Sequence, residues 1–300
     1  MNRRDILTSG LAAGTVAAAV QARPAAARPK RASPTIYAKD GTRLFHRDWG
    51  EGRPVVFASS WALSSEMWAY QVAHLSERGF RCIAFDRRGH GRSDVPGRGY
   101  DMDTLADDVA AVIDTLGLKD VILVGHSMGG AEVVRYLGRH GTGKVKKVVL
   151  LAAVAPYIVQ TADNPYGAPM AFHQATLKQY ATDFPGWAMA NQAPFFTAET
   201  SPAMKAWLTE QLLATPVPVA VAAFKALIGK DLRPDLPKID RPTLVIHGDK
   251  DASAPLAITG QRLAAGIRSA ELKVYAGAPH GLFVTHMDRL NADLETFFKA

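Results

Sequence analysis

The chain has 300 residues, 48% of them apolar and 21% charged, with a formal net charge of +7. That length and apolar fraction suit one large buried core in a single α/β domain, and a lone cysteine, Cys82, excludes an internal disulfide. Residues 1–31 hold Arg3, Arg4, Arg23, Arg28, Lys30 and Arg31 against Asp5, so this stretch carries +5 and the remainder about +2. The basic excess therefore sits in a terminal stretch and gives no support to nucleic-acid binding.

The N-terminal stretch reads as a twin-arginine export signal with a basic linker, spanning residues 1–31. Arg3-Arg4 precedes a small apolar run at 11–20, and small-x-small sites end at Ala22 or Ala27. The run is too short and too alanine-rich for a transmembrane helix, so no stable membrane span is expected after processing. A periplasmic or secreted location follows, and a chain without disulfides suits a pathway that moves folded cargo.

Residues 32–300 form the expected catalytic domain. Strand-like segments at 35–39 and 42–47 flank Asp40-Gly41, a hairpin signal. Further strand-like runs lie at 55–58, 82–85, 121–124, 145–151, 244–247 and 272–275. Helical patterns separate most of them, notably 103–116 with apolar residues at 105, 109, 112, 113 and 116. Such alternation predicts a mostly parallel sheet with helices on both faces. Cys82 falls in one of the strands and reads as a small buried hydrophobe.

The regularity fails at about 156–240, where prolines are frequent and aromatics interleave with Met. This predicts a helical cap inserted over the carboxyl ends of the strands. Phe172, Phe184, Trp187, Phe195, Phe196 and Trp207 are candidates to line an apolar acyl pocket, although cap core is the plainer role for any single one. Ser60, Ala62, His126 and Ser253 are further pocket candidates.

The apolar run 121–124 leads into Gly125-His126-Ser127-Met128-Gly129, and a helix-compatible segment follows at 131–139. Strand, Gly-x-Ser-x-Gly and helix in that order fit a nucleophile elbow, with Ser127 on a sharp turn and its hydroxyl exposed. The helix N-terminus would face the charge that develops in acyl transfer.

A serine hydroxyl needs a base and an orienting carboxylate. In folds that use this elbow the chain order is Ser, acid, His. His46, His74 and His90 precede Ser127, and the His126 side chain should point elsewhere. His140, His173 and His247 come before the best acid candidates, which leaves His280 and His286. His280 lies in a loop between a strand and the C-terminal helix, whereas His286 falls inside the helical segment. His280 is the expected base. Asp249 and Asp251 both follow the strand at 244–247; Asp251 is assigned as the acid and Asp249 to the turn, partly on family resemblance.

From residue 35 to 299 the chain resembles the α/β-hydrolase fold, and more narrowly its cofactor-free haloperoxidase and arylesterase group. The carrying motifs are Lys39-Asp40-Gly41-Thr42, Asp86-Arg87-Arg88-Gly89-His90-Gly91-Arg92-Ser93, Gly125-His126-Ser127-Met128-Gly129-Gly130, His247-Gly248-Asp249-Lys250-Asp251 and Ala278-Pro279-His280-Gly281. The resemblance implies Ser127 as nucleophile, Asp251 as acid and His280 as base. It implies an oxyanion hole from the N–H groups of Met128 and Trp61, and a structural role for the Asp86–Ser93 turn.

Three departures stand out. Ser59-Ser60 replaces the His-Gly usual before Trp61, which predicts an altered loop path or an added hydroxyl donor. Ala252-Ser253-Ala254 is smaller than the aliphatics common after the acid, which predicts a more open pocket. Ala62 stands where strongly perhydrolytic relatives tend to carry Pro, which lowers the expected peracid formation.

No dinucleotide loop, Walker A sequence or metal-ligand spacing is present, so the chemistry is expected to be cofactor-free. The expected function is hydrolysis of small carboxylic esters through an acyl-enzyme, with perhydrolase or haloperoxidase side activity. A lactone is a second substrate class, and a low-turnover ligand-binding protein is the rival of a different kind. Dehalogenase and epoxide-hydrolase chemistry normally needs a carboxylate where Ser127 stands. A homo-oligomer is compatible with the sequence.

Overall fold

The computed structural model describes residues 34–300; the export signal expected at 1–31 lies outside the described residues. Strands β1 (Thr35–Tyr37) and β2 (Arg43–Trp49) pair antiparallel about Asp40-Gly41. Gly41 takes φ +85° there, and Asp40 Oδ1 accepts the Thr42 N–H at 3.1 Å. The chain continues through β3 (Arg53–Ala58), α1 (Ala69–Ser76), β4 (Phe80–Phe85), α2 (Met102–Thr115), β5 (Val121–His126), α3 (Met128–His140) and β6 (Val145–Leu151). Between β6 and the next strand lie α4 (Met170–Ala190), α5 (Pro202–Leu213) and α6 (Val217–Ile228). Then come β7 (Thr243–Gly248), α7 (Gly260–Gly266), β8 (Ala270–Tyr275), α8 (Leu282–Thr285) and α9 (Met287–Lys299).

The sheet order is β1-β2-β4-β3-β5-β6-β7-β8. Only the β1–β2 and β2–β4 pairs are antiparallel; every later pair is parallel. Strand alternation divides the apolar residues between two cores. Leu123 and Val148 join Val109, Val112, Val133 and Leu137 of α2 and α3 on one face. Ile122, Val124 and Val149 meet Trp68, Leu75, Leu290 and Phe298 on the other. A strand covered on both faces needs no polar side, and all six residues of β5 are buried. Cys82 belongs to the second core, where burial pushes its thiol up to about 12.

Two local differences from the sequence expectation have physical reasons. His286 (φ −127°, ψ 37°) breaks the C-terminal helical segment into α8 and α9 rather than lying inside one helix. Within α4, Asp183 leaves helical geometry two residues before Pro185, whose ring cannot continue the hydrogen-bond ladder. Asp183 Oδ1 caps the second half by accepting the Gly186 N–H at 2.9 Å. Among the described residues no single helix is long and apolar enough to cross a membrane; α5 and α6 pass only as a pair bent by 89°.

Candidate active site

β5 ends at the centre of the sheet, and Ser127 follows it with φ +55° and ψ −119°. A non-glycine residue there is strained, by about 1–2 kcal/mol. Its neighbours lock it: the Ser127 N–H donates to the Leu151 carbonyl at 3.0 Å, and its own carbonyl accepts the Val154 N–H at 3.0 Å. The flanking glycines are needed for close approach rather than for unusual φ. A Cβ at Gly125 would lie 2.4 Å from the Gly129 carbonyl oxygen, and one at Gly129 would lie 2.3 Å from that of Ala58. Neither contact is tolerable, so strand, turn and helix can pack this tightly only with glycine.

The Ser127 hydroxyl lies 2.9 Å from His280 Nε2, and His280 Nδ1 lies 2.7 Å from Asp251 Oδ2. All three residues are buried. An imidazole that donates to the carboxylate from Nδ1 leaves Nε2 free to accept the serine proton, the geometry that activates a hydroxyl for attack on an acyl carbon. Asp251 Oδ1 is fixed separately, by the N–H groups of Ser253 at 2.9 Å and Ala254 at 2.7 Å. Burial alone would raise the Asp251 pKa, but the charge and hydrogen bonds of His280 and the hydrogen bond of His247 hold it well below the usual carboxylate range. Asp249 does something else: its Oδ1 accepts the Gly277 N–H at 2.7 Å, tying the loop after β7 to the loop that carries His280.

His126 and Ala62, expected beside substrate, do not line the cavity described below. The His126 side chain lies behind the base, where its Nε2–H donates to the His280 carbonyl at 3.0 Å. Burial first, and the charge of His280 second, lower its pKa to about 3. Ala62 is fully buried at φ +56°.

That value bears on the Ser59-Ser60 departure. The left-handed residue of this loop is Ala62, not either serine, so the serines incur no φ strain. The loop is held from below instead. The Arg87 guanidinium donates Nη2 to the Ser59 carbonyl at 2.6 Å and Nη1 to the Ser60 carbonyl at 3.0 Å, while Nε pairs with Glu132. Ser60 lines the cavity and its N–H meets Met67 Sδ at 3.2 Å; the Ser59 hydroxyl is buried without a partner. Trp61 lines the cavity too, and its indole Nε1–H donates to the Ala220 carbonyl at 2.9 Å. The same ring stacks on Tyr180 and meets Phe184 and Trp187 edge-on, so the cap grips the loop. Met128 opens α3, and its N–H has no intrahelical acceptor.

Ser127 and His280 open on a cavity of about 520 Å³ between the strand ends and the cap. Ser60, Phe172, Phe195, Phe196 and Ser253 line it as expected pocket residues. Trp187 also contributes, whereas Phe184 packs with Tyr180 and Ala220, and Trp207 meets Tyr70 of α1 edge-on. Tyr180, Phe224 and Val154 line it without having been singled out from sequence. Among the described residues no cluster of His, Cys, Asp and Glu could hold a metal ion.

A family model described as the alpha/beta hydrolase fold matches residues 53–287. A non-heme haloperoxidase of Rhodococcus erythropolis is 41% identical over 276 residues, which span 89% of this chain and all of the relative. A bifunctional esterase/perhydrolase of Acinetobacter calcoaceticus is 34% identical over 285 residues, 88% of this chain and 99% of the relative. The solved esterase of Exiguobacterium antarcticum superposes with a TM-score of 0.86 at 33% identity, covering 89% of this chain and 99% of that one. The chain belongs to the α/β-hydrolase family and, within it, to the non-heme haloperoxidase group.

Proposed function

We propose that this protein is a cofactor-free serine hydrolase of carboxylic esters, with lactones, as cyclic esters, open to the same chemistry. The observation that carries the reading is the contiguous Ser127–His280–Asp251 array at the floor of a cavity. Ser127 attacks the acyl carbon as His280 Nε2 takes its proton, and the imidazolium then hands that proton to the leaving alcohol. Asp251 keeps His280 in the tautomer that attack requires. The N–H groups of Trp61 and Met128 receive the oxyanion, a contribution on the order of 2.7–4 kcal/mol per donor. Water deacylates Ser127; peroxide in its place yields a peracid, the source of any haloperoxidase activity.

The test is hydrolysis of p-nitrophenyl acetate, butyrate and octanoate by the wild type and by Ser127→Ala, without added metal. Turnover that disappears in the variant supports the reading. A folded wild type that cleaves none of the esters, or a variant that keeps its rate, removes it.

Export rests on the sequence of residues 1–31 alone and is proposed on that basis, with a periplasmic or secreted destination. Arg3→Lys with Arg4→Lys should retain the protein in the cytoplasm; unchanged fractionation would overturn export by this route.

A further inference from the structure

Among the described residues that line the cavity there is no Asp, Glu, Lys or Arg. Its ionisable members are Ser127's partner His280, Tyr180 and His173. Burial lowers the His173 pKa and raises that of Tyr180, so both stay neutral at ordinary pH. The other polar groups on the wall are neutral as well, among them Thr176, Gln179, Asn191, Gln192 and Ser253. Two of these amides are already engaged, Asn191 Nδ2 on the Trp187 carbonyl at 2.8 Å and Gln192 Nε2 on Thr209 Oγ1 at 2.5 Å.

The cap contains six cations, Lys178, Lys205, Lys225, Lys230, Arg233 and Lys238, and none of them lines the cavity. Lys230 pairs with Asp103 at 2.9 Å, Arg233 with Asp163 at 2.9 Å and Asp231 at 2.6 Å, and Lys238 with Asp235 at 2.9 Å. The charge that meets the base of the reacting serine is the Asp251 carboxylate behind His280, and it is negative; the Arg87 guanidinium under the Ser60 carbonyl is already paired with Glu132. A second carboxylate, brought in on a substrate, would leave water, gain no cation and face that charge.

We infer, on the ester-hydrolase reading, that this cavity takes esters that are uncharged at both the acyl and the alcohol end and rejects esters that bear a free carboxylate. The volume, about 520 Å³, lies in the range that encloses a drug-sized molecule, so the selected substrate also carries a bulky apolar arm.

The test separates charge selection from catalysis. Ser127→Ala protein is titrated with benzyl methyl glutarate and with monobenzyl glutarate at pH 7.5, following tryptophan fluorescence, since Trp61 and Trp187 line the cavity. The two probes differ only at the second carboxyl, a methyl ester in one and a free carboxylate in the other. The neutral diester should bind more tightly by about 100-fold, the penalty of an unpaired buried charge. A preference below about tenfold overturns the inference. Thr176→Lys, made on the same background at a half-exposed wall position, should narrow the ratio by supplying a cation. A folded Thr176→Lys protein with an unchanged ratio also overturns it. Release of benzyl alcohol by the wild type decides the serine-hydrolase reading separately, because the binding ratio stands whether or not turnover occurs.

Discussion

His247 and His280 meet the same oxygen: Asp251 Oδ2 lies 3.2 Å from His247 Nε2 and 2.7 Å from His280 Nδ1. His247, the penultimate residue of β7, is fully buried, and its Nε2 also lies 2.6 Å from the Ala254 carbonyl. A carbonyl only accepts, so Nε2 carries the proton, and Nδ1 is left buried without a partner. Gly260 makes room for this ring, because a Cβ there would stand 2.7 Å from Nδ1. One imidazole therefore closes the acid loop and steadies its carboxylate.

His247→Leu is expected to lower kcat about tenfold with KM nearly unchanged, since it removes a donor that orients the acid and touches no substrate. His247→Gln, which retains an N–H, should recover part of the loss. Steady-state kinetics on one ester check both, with urea midpoints to show that each variant is folded. An unaltered kcat in the leucine variant would count against positioning by His247.

Arg87 offers three donors to three acceptors, and lysine has one nitrogen to replace them. Arg87→Lys should leave the Ser59 and Ser60 carbonyls loose, misplace the Trp61 amide and cut kcat about tenfold. Arg87→Leu should be far worse for folding. Burial already pushes the Glu132 carboxyl up, and without its cation that group becomes an unpaired buried charge costing about 3–5 kcal/mol. Thermal melts of the two variants should rank them in that order.

The sheet was legible because β5 and β6 each contain an unbroken stretch of Val, Leu or Ile, at 121–124 and 148–151, and the elbow because its glycines flank the serine. Chain order picked out His280, whose Nε2 lies 2.9 Å from the Ser127 hydroxyl, but the same filter set His247 aside. A histidine four residues before the acid, at a strand end, was the available signal. Arg87 was hidden for another reason: its partners, Ser59, Ser60 and Glu132, are 27 or more positions away in sequence, and only folding brings them together. The cap was legible as an irregularity and no further. Which aromatics face the cavity depends on helix rotation and on the break at Asp183, and no periodicity in α4 encodes either.

Stability should fall as the pH drops below about 6.5. Burial, followed by the charge of Arg87 for His90 and of His280 for His126, lowers both pKa values to about 3. The unfolded chain takes up these two protons near pH 6.5 and the folded chain resists them, so stability is complete above 6.5 and lost progressively toward 3. Each group contributes about 2 kcal/mol between pH 6.5 and 5. Asp251 has the same sense in a lower window: its depressed pKa adds stability that is kept above the unfolded value of 3.8 and lost only below it, so it plays no part between pH 6.5 and 5. Urea midpoints at pH 8, 6.5 and 5 measure the effect, and a flat profile from 6.5 to 5 would show that the two imidazoles are not held neutral.

Ala62→Pro tests the oxyanion loop from the other side. By resemblance, proline at this position goes with peracid formation, and the substitution would ordinarily be chosen to raise it. In this chain Ala62 has φ +56°, whereas the proline ring fixes φ near −65°. The Ala62 carbonyl also accepts the Thr215 hydroxyl at 3.1 Å, a bond that holds the loop against the start of α6. Proline must therefore move the backbone directly after Trp61, the residue whose amide is proposed to face the oxyanion. Ester hydrolysis and peracetic acid formation should fall together, by about 100-fold for one lost donor. Parallel assays with and without hydrogen peroxide decide it. A folded Ala62→Pro protein that gains peracid formation would mean that the loop can take the proline path, and that φ at residue 62 does not limit the choice between water and peroxide.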